Sequence, residues 1–132
     1  MMSPQPDTVR GISAVTLATH DMGRAVRFYQ ALGLLLHYGG EDASFTSFAL
    51  GSGHLNLMAV APARAWGWWG RVIVHVENVD DFYRRVVERE LRPEAPPADA
   101  PWGERFFHIL DPDGHELSVA QPLATRGRAP IE

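Results

Sequence analysis

Two stretches of this chain recur later in the same order, and that repetition constrains the fold more than any single motif. Ala14-Val15-Thr16-Leu17-Ala18-Thr19-His20-Asp21-Met22 is matched by Arg71-Val72-Ile73-Val74-His75-Val76-Glu77-Asn78-Val79, an offset of 57 residues. Gly53-His54-Leu55-Asn56-Leu57 is a degenerate form of Gly114-His115-Glu116-Leu117-Ser118-Val119, with Asn56 and Ser118 offset by 62. The two offsets differ only by a few residues of loop. A chain that repeats two segments in one order is built from two stacked structural units. Each unit carries a strand, a helix and a run of short strands that ends in a Gly-His hairpin.

Local signals within the units are legible. Asp21 is a good helix N-cap, and Met22, Ala25, Val26, Tyr29 and Leu32 follow at helical spacing until Gly33 ends the run. Asn78 is the matching cap for Val79, Phe82, Tyr83, Val86 and Val87. The opposite, solvated face carries Asp80, Asp81, Arg84, Arg85, Glu88 and Arg89. Asp80 with Arg84 and Asp81 with Arg85 have the four-residue spacing of helical ion pairs. Near the end of the chain, Asp111-Pro112-Asp113-Gly114 reads as a tight turn between two strands. Pro presets φ at its second position, and Gly admits the geometry of the return strand.

Composition removes several kinds of chemistry. At 132 residues the chain can bury one real core, and its net charge of −4 lacks the basic face that nucleic acid requires. No apolar run approaches the ~20 residues that span a bilayer, and the start lacks a signal-peptide pattern. A cytoplasmic protein with no nucleic-acid or membrane partner is expected. There is no Cys, which excludes thiol nucleophiles, disulfides and sulfur-ligated metals. There is no Lys either, since all 12 cationic side chains are Arg, which excludes Schiff-base chemistry and a phosphate-loop lysine. Chemistry here must use His, carboxylates, hydroxyls, Arg or a cofactor.

Alternation divides the strands into two faces. Val72, Val74 and Val76 oppose Arg71, Ile73 and His75; Leu55, Leu57 and Ala59 oppose His54, Asn56 and Met58; Leu117 and Val119 oppose Glu116, Ser118 and Ala120. The apolar faces should receive the helices. The mixed faces would line a common concavity, with His54, Asn56, Arg71, His75, Glu116 and Ser118 pointing into it, a makeup that suits a small-molecule site. His20, His37, His108 and His115 are expected elsewhere, His115 serving the hairpin turn.

The duplication, Asp21 before a helix that contains Phe28-Tyr29 and closes on Leu32-Gly33, and the Asp111-Pro112-Asp113-Gly114 turn together resemble the vicinal-oxygen-chelate superfamily. That group includes glyoxalase I, bleomycin-resistance proteins and extradiol dioxygenases. The resemblance runs from about Gly11 to Pro122. In the group's metalloenzymes, four strand positions supply His, Gln or Glu to a divalent metal. Here those positions fall on Ala14, Asn56, Arg71 and Ser118. Ala has no donor atom and Arg is a permanent cation that repels a metal, while Asn and Ser offer one neutral oxygen each. No metal ligand and no cofactor is therefore assigned. A relocated metal would draw on His54, His75 and Glu116, provided their donors converge at about 2.0–2.2 Å.

The architecture expected is α+β: two tandem βαβββ modules that form a curved, half-open barrel with both helices outside. A single domain spans 1–132, with module one over about 11–60, a linker over 61–70 and module two over 71–122. Strands are expected near 11–19, 34–39, 44–50, 53–60, 71–76, 92–99, 104–110 and 115–120, and helices near 22–32 and 79–90. The strand at 92–99 should be irregular or at an edge, because Pro93, Pro96 and Pro97 cannot donate to a ladder.

The linker holds Trp66, Trp68 and Trp69, and Trp102 opens a later loop. Exposed indoles need a surface to cover, so these rings should close over the concavity or pack in a homodimer. The leading functional reading is a metal-free member that binds or sequesters a small organic ligand, aromatic or antibiotic-like. Arg71 would meet an anionic or carbonyl oxygen, with Glu116 its other candidate partner. Asn56, His75 and Ser118 would add polar contacts, and Trp66, Trp68, Trp69 and Trp102 flat apolar ones. Two enzyme readings stand beside it. One is a metal-dependent lyase or dioxygenase with displaced ligands; the other is a metal-independent lyase or isomerase with Glu116 or His75 as base. A purely structural partner subunit is a further reading.

Overall fold

The computed structural model describes residues 8–124. The first module contains β1 (Ala14–Thr19), α1 (Met22–Leu32), β2 (Leu35–Tyr38), β3 (Phe45–Leu50) and β4 (Gly53–Ala59). The second contains β5 (Arg71–His75), α2 (Val79–Glu88), β6 (Ala98–Ala100), β7 (Glu104–Leu110) and β8 (Glu116–Pro122). Each module folds into one four-stranded sheet, in the orders β1-β4-β3-β2 and β5-β8-β7-β6. In both, the first strand pairs parallel with the last and the remaining pairs are antiparallel. The fold is α+β with two tandem modules, and its sheets form an open, curved half-barrel.

The helices form where their caps direct. The Asp21 side chain accepts from the Arg24 N–H, and Gly33 closes α1 in the left-handed conformation at φ 112°, which costs a residue without a Cβ nothing. Asn78 caps α2 by accepting from the Asp81 N–H. Met22, Ala25, Val26, Phe28, Tyr29 and Leu32 of α1 join Val79 and Val86 of α2 in one core with Leu17, Leu55, Leu57, Val74, Leu117 and Val119. The helices thus cover the apolar faces of the sheets and leave the mixed faces opposite.

The segment over 92–99 is irregular, as its prolines predict, and yields only the three-residue edge strand β6. Other local expectations are corrected. α2 stops at Glu88, and the chain turns at Glu90 with φ 68°. Val87 is 44% exposed and lies outside the core. Asp80 does not pair with Arg84. Arg105 on β7 takes both of its oxygens, at 2.9 and 3.0 Å, and Arg84 pairs instead with Asp81 at 2.9 Å.

Two glycines near the starts of β4 and β8 are required for different reasons. Gly114 has φ 85°, as its turn demands. At Gly53 a Cβ would sit 2.6 Å from the Ser13 carbonyl oxygen, so glycine there lets β4 approach the chain leading into β1.

Candidate functional site

The modules are locked together at one corner. The Tyr29 hydroxyl, fully buried in α1, donates to Asp111 Oδ2 at 2.7 Å. The other Asp111 oxygen accepts the Asp113 and His115 backbone N–H groups and shapes the turn. Burial pushes the Asp111 carboxyl up, and the Tyr29 and backbone hydrogen bonds pull it partly back.

His115 does more than serve the turn. An indole N–H can only donate, so the 2.8 Å contact from Trp69 Nε1 makes His115 Nδ1 the acceptor. Its proton then sits on Nε2 and is donated to the Ala18 carbonyl of β1, also at 2.8 Å. Trp66 stacks on the same imidazole with centroids 5.2 Å apart and donates to the Asp113 carbonyl. Trp66 therefore clasps this corner, and it also lines a hollow that runs along β1. The cause is the docking of module one against the β7–β8 turn, which supplies a flat histidine and a carbonyl acceptor.

The mixed face of the second sheet is built by register. Arg71 lies opposite Glu116, Ile73 opposite Ser118 and His75 opposite Ala120. On the other side of β8, His108 lies opposite Ser118 and Phe106 opposite Ala120. Glu116 Oε1 accepts Arg71 Nε at 2.8 Å and Trp68 Nε1 at 3.2 Å, and the Arg71 guanidinium sits 5.6 Å from the Trp68 ring centroid. This is the ion pair expected by face assignment. Further along, buried Glu104 bonds His75 Nε2 at 2.5 Å and Trp102 Nε1 at 3.2 Å. Each of these two buried carboxylates thus meets one indole and one basic side chain of β5.

Sequence reasoning missed Glu104, His108 and Glu94 on this face. His108 belongs on it, since alternation through β7 places Glu104, Phe106, His108 and Leu110 together; that signal was available in the sequence. Glu94 left no such signal. It reaches the face because its backbone N–H donates to the His108 carbonyl at 2.8 Å, tying the proline-rich segment to β7. Glu116 pushes the Glu94 carboxyl up through their shared hydrogen bond, and burial adds to the shift. Burial would raise Glu116 as well, but hydrogen bonds from Glu94, Arg71 and Trp68 outweigh it and hold that carboxyl below its usual range.

Of the residues expected on the first sheet, His54 shares a cavity with Arg71 but not the carboxylate–histidine cluster. The Asn56 amide donates to Thr16 Oγ1 at 3.2 Å, and the His54 ring lies 4.8 Å from that of His37. His54, His75 and Glu116 therefore do not converge. Among the described residues, the donor set that does converge is Glu94, His108 and Glu116. Ser118 is completely buried, and its Oγ has no hydrogen-bond partner among the described residues.

Between the two sheets, where β1 and β5 begin, a cavity of about 430 Å³ is bounded by Ala14, Val15, His54, Trp69, Arg71 and Ile73. A second hollow of about 420 Å³ shares Val15 and Trp69 and runs along β1 past Trp66 toward His115.

Paired βαβββ modules around such a seam define a class of protein. The family described as Glyoxalase/Bleomycin resistance protein/Dioxygenase superfamily matches residues 11–119, and the chain belongs to it. A glyoxalase/bleomycin resistance protein/dioxygenase from Nocardioides is similar at 28% identity, covering 95% of this chain and 90% of that one with a TM-score of 0.70. TioX from Micromonospora sp. ML1 shares the fold at 24% identity, 86% and 100% coverage and a TM-score of 0.69. So does a bleomycin resistance determinant encoded on transposon Tn5, at 21% identity, 86% and 98% coverage and a TM-score of 0.71. No curated protein matches the sequence.

Proposed function

We propose that this protein binds a small organic molecule at the seam between its sheets, without a metal at the four positions that the family resemblance marks. One observation carries the reading. The cavity of about 430 Å³ opens between Ala14 and Arg71, and its walls mix apolar Val15, Ile73 and Trp69 with polar His54 and Arg71. That size and mixture suit a small-molecule site. The donor set at the four positions does not suit a divalent ion: Ala14 has no donor atom, the Asn56 amide is engaged by Thr16, and Ser118 is sealed from solvent. Arg71 is a fixed cation already bound to Glu116. Held beside Trp68, its guanidinium is a preorganised donor for a carbonyl or anionic oxygen of the ligand.

The test is a thermal-shift and calorimetric screen of aromatic and peptide-like antibiotics, with tryptophan fluorescence reporting on Trp69. Bleomycin belongs in the panel because a protein of this fold carries that name. A ligand should raise the melting temperature by mass action. Arg71→Ala should weaken its binding by about 1.5–3 kcal/mol, as for a lost charged hydrogen bond. Binding that ignores Arg71→Ala would remove the seam as the site. A bound ligand that is turned over would select the metal-independent lyase or isomerase, a second reading that the unequal Glu94 and Glu116 carboxyls favour.

The functional unit in this reading is a homodimer. β2 is an edge strand whose Leu35 and Tyr38 are 75% and 64% exposed, and a second copy would cover both the apolar side chains and the unpaired edge.

A further inference from the structure

We propose that Glu94, His108 and Glu116 form a binding site for one divalent transition-metal ion, inside the second module and away from the family's strand positions. The inference does not rest on the seam ligand. Three separate elements supply the donors: the segment before β6, β7 and β8. Glu116 Oε2 lies 3.8 Å from His108 Nδ1, and the three ligand atoms all lie within 4.8 Å of one another. Glu94 is tethered beside His108 by its backbone hydrogen bond and is otherwise exposed, so its side chain can close the remaining distance. At metal–ligand distances of about 2.0–2.2 Å the donors would draw together to roughly 3.4 Å in a tetrahedral arrangement.

Glu116 is oriented for this role. Its Oε1 is held by Arg71 and Trp68, the outer-shell support that ligating carboxylates need, while Oε2 is the oxygen nearer His108. An independent observation points to the same place. The Ser118 hydroxyl shares the face, two residues along β8 from Glu116 and directly opposite His108, yet it is fully buried with no hydrogen-bond partner among the described residues. A water on the ion would give that hydroxyl a partner. One imidazole with two carboxylates suits zinc, manganese, iron or cobalt better than magnesium or calcium, which prefer oxygen alone. Arg71 offsets one of the two carboxylate charges, so moderate affinity is expected.

The test uses untagged, full-length protein stripped with chelator and titrated with Zn²⁺ by calorimetry and with Co²⁺ by visible absorption. The expected result is one ion per chain, with Glu94→Gln and His108→Asn each weakening binding at least about tenfold. Because Glu94 is exposed, Glu94→Gln tests the ligand and not folding. His37→Asn should leave the titration unchanged, although the His37 and His54 rings form another pair of imidazoles. Absence of binding at millimolar Zn²⁺, or binding lost with His37→Asn and retained in Glu94→Gln, would overturn the site. Ligand binding at the seam is measured on the stripped protein, so either idea can fail alone.

Discussion

Tyr29 and Asp111 show how one hydrogen bond can carry a pH dependence. Asp111 is 5% exposed, and burial raises its carboxyl above the ordinary carboxylate range. A raised folded-state value means that the native state holds the proton more tightly than the unfolded chain does. The associated stability is therefore present below the ordinary carboxylate value and lost as pH rises through the raised one. The Tyr29 hydroxyl favours the anion and limits that loss. Tyr29→Phe should cost about 1.5–3 kcal/mol in urea unfolding at about pH 7, and clearly less near pH 3, where Asp111 is protonated in both states. Equal penalties at the two pH values would show that Asp111 is not the group responsible.

At the scale of elements, strand pairing depends on close approaches that side chains would block. Gly53 starts β4 with its α-carbon against the Ser13 carbonyl, and the His54 N–H donates to that same oxygen at 3.0 Å. A methyl group there meets backbone, which cannot rotate away. Gly53→Ala should destabilise the protein by about 1–3 kcal/mol, the range for overpacking, despite alanine's lower unfolded-state entropy. Chemical denaturation of the two proteins checks this; a variant as stable as the parent would mean that β1 and β4 can separate at little cost. The edge of the second sheet follows the opposite logic. Prolines prevent a full strand before β6, and the irregular segment left there is what delivers Glu94 to His108.

For the whole molecule, the exposed edge at β2 and the covered corner at the linker have opposite consequences for assembly. Trp66 is spent on joining the modules through His115 and Asp113, so the linker has less aromatic surface to offer a partner than its composition suggests. Leu35 and Tyr38 remain uncovered on an edge strand that is paired on one side only. A homodimer is expected at micromolar concentration, and Leu35→Lys should shift it to monomer, because a charge on an edge strand opposes pairing. Light scattering on both proteins decides it, and a parent protein that is monomeric would remove the dimer from the functional reading.

The repeat, α1, the N-caps of both helices, and the strands over β3, β4 and β7 were legible in the sequence to within a residue or so, and α2 to within two. The forces that set them act over a few neighbours: alternation, helical spacing, an Asp or Asn cap and a left-handed glycine. The faces of β5 and β8 were legible for the same reason, and they led correctly from Arg71 to Glu116. Other pairings could not be read that way. Tyr29 meets Asp111 across 82 residues, and His115 meets the Ala18 carbonyl across 97. Asp80 abandons its helical neighbour for Arg105 because the bidentate geometry there exists only once α2 lies on β7. Glu94 reaches the carboxylate–histidine cluster only because a segment that cannot form a ladder still makes one backbone bond to β7. Local chemistry determines which elements form and which face each side chain occupies; the docking of modules and edges decides which of those side chains meet.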